Sequence, residues 1–214
     1  MSGAMLPYLT AVVSAAFAVA VAMRYARSRR SALLAWAIGL AMFAVAALAG
    51  GLARTGPANE TEYRAFYLFG GILNVAWLAL GTMFLVASRF SRVSVAVVGA
   101  LTLAAAYAVF ATPVDLKVAL DSGRGFPDGS LPRILAAVGS GLGSVVLIGG
   151  ALWSAWVFLR QRRNGRRALA NIIIAIGVLI AAAGGTVTFT GASGILELTN
   201  LVGVSAMFAG FVLA

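Results

Sequence analysis

The stretch MRYARSRRSALLAWAIGLAMFAVAALAGGLARTG, Met23 to Gly56, decides the fold. No residue from Ser31 to Ala53 carries a charge, while Arg24, Arg27, Arg29 and Arg30 crowd one end and Arg54 marks the other. At 1.5 Å per residue a helix over this run is about 35 Å long, enough to cross the roughly 30 Å hydrocarbon core of a bilayer. Composition says the same of the whole chain. Of 214 residues 62% are hydrophobic and only 10% charged, where a water-soluble domain carries about a quarter charged residues. The chain reads as an integral membrane protein.

Working outward, six more apolar segments meet the length requirement. The first runs from about Leu6 to Met23, the third from Arg64 to Ser88 after the polar link Arg54–Tyr63, and the fourth from Val93 to Ala111. The longest loop, Thr112–Leu131, is rich in Gly, Asp and Pro. Pro132 then opens the fifth span, where its missing N–H costs nothing, and that span reaches Arg160. QRRNGRR, Gln161 to Arg167, separates it from the sixth span, Ala168 to about Val187; the seventh runs from about Ile195 to Ala214. The expected architecture is an all-α membrane protein, residues 1–214 forming one seven-helix transmembrane domain.

Arginine placement orients it. The turns after the first, third and fifth spans hold eleven basic residues and no acid, and the opposite face holds five basic and six acidic ones. Basic loops stay cytoplasmic, so the expectation is N-out, C-in, in a bacterial inner membrane, with the first span retained rather than cleaved as a signal peptide. The basic turns should meet anionic lipid headgroups. Nucleic acid is excluded as a partner, because no aromatic residues interleave the basic runs as a stacking platform requires. Trp36, Trp153 and Trp156 fall near the cytoplasmic span ends and read as interfacial anchors.

Missing residue types remove whole chemistries. Without Cys or His, thiolate nucleophiles, iron–sulfur clusters, bis-histidine haem and histidine-based metal sites cannot be built. The single lysine, Lys117, lies in the long loop, so a retinal Schiff base has no anchor within a span. No cofactor is expected. No nucleophile–base pair is evident either, so an enzyme is the least favoured class, lipid-directed chemistry at Asp115, Asp121 or Asp128 being the one enzymatic alternative.

In lipid, helices associate through small residues and interhelical hydrogen bonds. Tyr63, Tyr67, Gly70, Asn74, Trp77 and Gly81 recur at spacings of three or four and so share a helix face. That face is either a ligand site lined by Tyr67, Asn74 and Trp77 or a packing seam in which Asn74 bonds a neighbouring helix. The fifth span's Gly139, Gly143, Ser140 and Ser144 form small-xxx-small pairs suited to close packing. Glu197, with Asn200 one turn on, is the acid set in an apolar segment. It completes the candidate ligand residues, or else serves as a helix-end charge or ion-pair partner of Arg54, Arg64 or Arg133. Thr186–Thr190 (TVTFT) alternates at period two and, with Val114–Val118, suggests a small external β-hairpin.

A parallel repeat also shows. Arg29-Arg30, Ala32-Leu33, Ile38-Gly39, Gly50-Gly51 and Thr55-Gly56 answer to Arg166-Arg167, Ala168-Leu169, Ile176-Gly177, Gly184-Gly185 and Thr190-Gly191. This pairs spans one to three with spans five to seven, the fourth serving as linker (3+1+3). In that plan the chain is similar to the SWEET-type sugar transporters, which implies a site between the triplets; it departs from them in placing its prolines in loops or at span starts rather than within spans. Microbial rhodopsins share the span count but not the missing lysine. YRAFYLFGGILNVAWLALGT, Tyr63 to Thr82, resembles a segment of uncharacterised multi-pass proteins of high-GC bacteria, a likeness over about a tenth of the chain that implies no activity. Two functional classes stay open: a transporter- or channel-like protein holding a small ligand or ion between helices, and a sensory or partner-regulating module without its own output domain. The second needs a membrane partner protein or a second copy of the chain.

Overall fold

A computed structural model describes residues 5–57, 59–122, 124–160, 165–189 and 195–214, with backbone alone for 120–122 and 186–189. Among the described residues there is no strand, and seven helices are long and apolar enough to cross a membrane. In chain order these are α1 (Leu6–Ser28), α2 (Ser31–Thr55), α3 (Glu60–Val86), α4 (Ser88–Ala111), α6 (Leu131–Arg160), α7 (Gly165–Phe189) and α8 (Ile195–Leu213), with a short α5 (Leu116–Ser122) in the long loop.

Local chemistry sets the ends. Pro7 and Pro132 occupy the first turns of α1 and α6, where a proline ring is tolerated. Arg29, in the left-handed region at φ 53°, terminates α1 by donating its N–H to Tyr25 O at 2.7 Å; this is the conformation that ends many helices. The Asn59 side chain accepts from Thr61 N at 2.9 Å and caps α3. The third span therefore starts near Glu60, ahead of the Arg64 expected from apolarity alone, with Glu60 and Glu62 at the positive end of the helix dipole.

Two expectations fail at the acid-bearing end of the bundle. Asp115 Oδ1 accepts the backbone N–H groups of Lys117 and Val118 at 3.0 and 3.2 Å. This caps α5 and turns the Val114–Val118 run into a helix start. The TVTFT run likewise continues α7 as helix to Phe189; Thr190 lies outside the described residues, as do Gly191 and Gln161–Asn164. Period-two alternation needs a pairing strand to become sheet, and neither run has one among the described residues.

Six helices close a ring in the order α1, α2, α3, α6, α7, α8, with α8 returning to α1. A single apolar cluster fills the middle and draws on all six: Phe17, Leu40, Ala79, Leu147, Val178 and Val204 are examples. The fourth span stands outside, leaning on α3 and the first turns of α6, and is the least buried of the seven. Trp77 Nε1 reaches Thr102 of α4 at 3.3 Å.

The seams are made of glycine. Gly177 and Gly203 face each other across α7–α8, so a Cβ on either would sit 2.6 to 2.7 Å from the other's carbonyl oxygen. Gly139, Gly143 and Gly150 of α6 lie against Ile72, Val75 and Thr82 of α3, which makes the glycine-rich fifth span a close-packing surface on that face. Where α3 and α6 touch, both widen into π-helix, Phe66–Leu73 and Ala137–Leu142. The Ser140 hydroxyl donates to Gly71 O at 2.6 Å across the junction, giving a carbonyl outside the regular α-ladder a partner.

Candidate functional site

A partly open cavity of about 70 Å³ lies within the ring, in the half nearer the arginine-rich turns. Its wall takes a part from every ring helix: Phe17 of α1, Trp36 and Leu40 of α2, Leu78 and Thr82 of α3, Leu147 and Ala151 of α6, Asn171 and Val178 of α7, and Met207 and Phe211 of α8. Leu85 and Val86, also in the wall, are exposed at the last turn of α3, so the opening is at the arginine end. Among the described residues, no lining side chain carries a charge.

The few polar groups in the wall are largely committed to backbone. Trp36 Nε1 donates to Leu78 O at 3.0 Å, and the Thr82 hydroxyl donates to the same carbonyl at 3.2 Å. Asn171 Nδ2 donates to Arg167 O at 3.0 Å. Trp36 can lie this deep because Gly81 opposite has no side chain; a Cβ there would collide with the indole. The expected role of Trp36 as an interfacial anchor is thus corrected: its ring is turned into the bundle and held on α3. Trp153 and Trp156, by contrast, are exposed, pack with ring centroids 5.1 Å apart, and carry the Arg160 guanidinium 5.2 Å from the Trp156 ring. At the same end of the bundle, the Arg24 guanidinium stands 5.3 Å from the centre of the Phe211 ring; Arg24 is not itself in the wall, and it has no carboxylate partner among the described residues.

The five candidate ligand residues are dispersed, and none is in this wall. Asn74 is buried at the α2–α3 seam, its backbone carbonyl 2.9 Å from where a Cβ on Gly39 would sit. Its side-chain oxygen accepts from Val75 N at 2.7 Å. Trp77 turns outward to α4. Tyr67 belongs to a separate aromatic cap at the acid-bearing end, in edge contact with Phe126 (centroids 4.8 Å) and 6.0 Å from Tyr63. The Tyr63 hydroxyl there accepts from Gly125 N at 2.8 Å, pinning the long loop; the Tyr67 hydroxyl is buried without a partner among the described residues. Glu197, buried in the first turn of α8, forms an ion pair with Arg54 of α2, and Asn200 is half-buried one turn on. The ion pairs among the described residues, Arg54–Glu197, Arg64–Glu60 and Arg133–Asp128, all lie at this same end.

The stripe on α3 is therefore split by helix rotation among three surroundings: α2 takes Asn74, α4 takes Trp77 and the loop takes Tyr67. The wall residues escaped sequence reading because they are ordinary Leu, Val, Met and Phe. The available signal lay in the glycines opposite them, Gly39 and Gly81 on one side and Gly177 and Gly210 on the other. No family model, curated protein or solved structure matches the chain.

Proposed function

We propose that this multi-pass membrane protein binds, and by rocking of its helices translocates, a small ligand held in the cavity at the centre of the six-helix ring. The observation that carries the reading is the position of the cavity between two like halves. In α2–α3, Gly39 abuts the Asn74 carbonyl and Leu78, and Gly81 abuts Trp36 and the Ala32 carbonyl. In α7–α8, Gly177 abuts the Gly203 carbonyl and Met207, and Gly210 abuts Ile174 and the Ala170 carbonyl. Each residue of the second set is its counterpart moved along the chain by one constant shift per helix. The same shifts pair Trp36 with Ile174, Leu40 with Val178, Leu78 with Met207 and Thr82 with Phe211, and all eight line the cavity.

This register supports a 3+1+3 parallel repeat in which α1–α3 answers to α6–α8 and α4 is the linker. It keeps the Gly39–Gly177 match read from sequence and moves others: Ala32 answers to Ala170 rather than Ala168, and Gly184, against Thr199, to Ala46, against Gly70. Leu6-Pro7 and Leu131-Pro132 open the first helix of each unit alike. A site between repeats is where many transporters bind their cargo. In this reading the arginine-rich turns face the cytoplasm of a bacterial cell and rest on anionic headgroups. Tyr67, Asn74, Trp77, Glu197 and Asn200 then act by holding helices and the outer cap in place.

Proteoliposomes test it by stopped-flow light scattering, with acetate, glycerol and potassium chloride as the permeants. Accelerated volume recovery is expected for at least one of them, lost in Ala151→Phe, which fills the cavity, and retained in Trp77→Ala. Rates equal to those of empty liposomes for all three contradict translocation. Loss in Trp77→Ala with Ala151→Phe unaffected moves the route to the α3–α4 face.

A further inference from the structure

Resting on the cavity reading above, we infer that the ligand is an anionic amphiphile: the end of its hydrocarbon chain enters the cavity and its carboxylate or phosphate head is held by Arg24, beside Phe211 of the wall. Size, lining and charge each narrow the choice.

The partly open space, about 70 Å³, is less than half of the roughly 150 Å³ that accommodates a benzene ring. It has room for the end of a single methylene chain rather than for a ring. A sugar is disfavoured on both counts, because the wall offers a sugar's hydroxyls almost nothing. Trp36 and Thr82 donate to Leu78 O, and the Asn171 amide donates to Arg167 O. Each hydroxyl left unpaired in such a site is penalised by its lost hydration. A bare ion is disfavoured because no lining residue is charged.

The opening supplies the opposite chemistry. Phe211 lines the cavity and also carries the Arg24 guanidinium on its face, 5.3 Å from the ring centre. Apolar wall and cation therefore adjoin through one side chain. Arg24 has no carboxylate partner among the described residues, and a guanidinium binds carboxylate or phosphate through paired N–H donors. The chain could belong to a free fatty acid or to an anionic phospholipid; both present the same head and tail to this site.

Trp36 is a reporter inside the cavity. With Trp77, Trp153 and Trp156 replaced by Phe, it is the single tryptophan of the full-length chain, excited selectively over the tyrosines in phosphatidylcholine nanodiscs. Three brominated probes are titrated: dibromostearate, phosphatidylglycerol with a brominated chain, and dibromostearyl alcohol. Saturable quenching by one or both anionic probes is expected, at half-saturation at least tenfold below that of the alcohol; which probe saturates identifies free fatty acid or phospholipid as the source. Arg24→Gln should erase the tenfold preference, Arg27→Gln should leave it, and Ala151→Phe should abolish the saturable phase. Ser154→Leu narrows the same wall should Ala151→Phe fail to fold. Saturation by the alcohol at the same concentration, unmoved by Arg24→Gln, overturns the anionic class and leaves the cavity reading standing. Quenching linear in probe content and equal in Ala151→Phe overturns both.

Discussion

The hairpins α2–α3 and α7–α8 close in the same register with different materials. Across α7–α8 glycine meets glycine, and each backbone presses on the other's carbonyl: Gly177 on Gly203 and Gly203 on Gly177. Across α2–α3, Gly39 meets Asn74 O and the Leu78 side chain, and the seam is reinforced by the Trp36 hydrogen bond to Leu78 O. Lipid tails are as apolar as leucine, so helices in a bilayer gain little by hiding side chains from the solvent and must gain by close contact or hydrogen bonds. One hairpin relies mainly on contact, the other on both. The cavity between them inherits the difference, with an indole and a hydroxyl on the α2–α3 wall where Ile174 and Phe211 stand on the other.

Substitutions can break or sharpen that contrast. The largest effect is expected from Gly203→Ala. Its Cβ would lie 2.7 Å from Gly177 O and 2.9 Å from the Ala181 Cβ, neither of which can turn aside, and overpacking of this kind costs about 1–3 kcal/mol. Unfolding in mixed micelles measures it; parent-like stability would mean the α7–α8 seam is looser than described. Gly39→Ala should cost somewhat less within the same range: its Cβ would lie 2.9 Å from Asn74 O, against 2.7 Å from Gly177 O for Gly203, and although the Leu78 side chain can yield, the Asn74 carbonyl cannot. If it costs more than Gly203→Ala, the contrast between the seams is reversed.

Arg54→Gln tests the link between the hairpins at their outer ends. Glu197 is buried but Arg54 is about half exposed, so the pair is worth no more than about 1 kcal/mol, and the loss should shrink with added salt. Trp36→Phe removes one hydrogen bond, worth about 0.6 kcal/mol as the average for interhelical bonds in a membrane, and leaves a smaller aromatic ring in place of the indole. A loss of several kcal/mol would show that the indole N–H, rather than the glycine contacts, holds α2 to α3. Smallest, and of opposite sign, is Gly149→Ala: nothing lies within 4 Å of that added methyl, and alanine is the better helix former by up to about 1 kcal/mol.

What could be read from sequence follows from how far each property depends on neighbours. The seven spans are legible because a run such as Ser31–Ala53 has the length and apolarity of a bilayer crossing whatever packs against it. Helix ends shift where a polar residue caps them, as Asn59 does for α3 and Asp115 for α5. The Glu197–Arg54 pair was one of three pairings open to that carboxylate, and only the placement of α2 beside the start of α8 selects it. The cavity was not legible. Trp36 lies near a span end, where tryptophans commonly mark the interface, and only its rotation onto Gly81 turns it inward. For the proposed repeat, Gly39 and Gly177 were visible in both seams, but matching the paired glycines Gly50-Gly51 with Gly184-Gly185 imposed gaps that the contact register does not need.

The most direct measurement uses the chain's lack of cysteine. Ser154→Cys and Asn171→Cys each place one thiol in the cavity wall, and a membrane-impermeant anionic thiosulfonate is applied to right-side-out and to inverted vesicles. Labelling of both positions in inverted vesicles alone is predicted, slowed when Ala151→Phe fills the space beside them. Labelling from the outer face, or at rates indifferent to Ala151→Phe, would contradict a central cavity open to the cytoplasmic side.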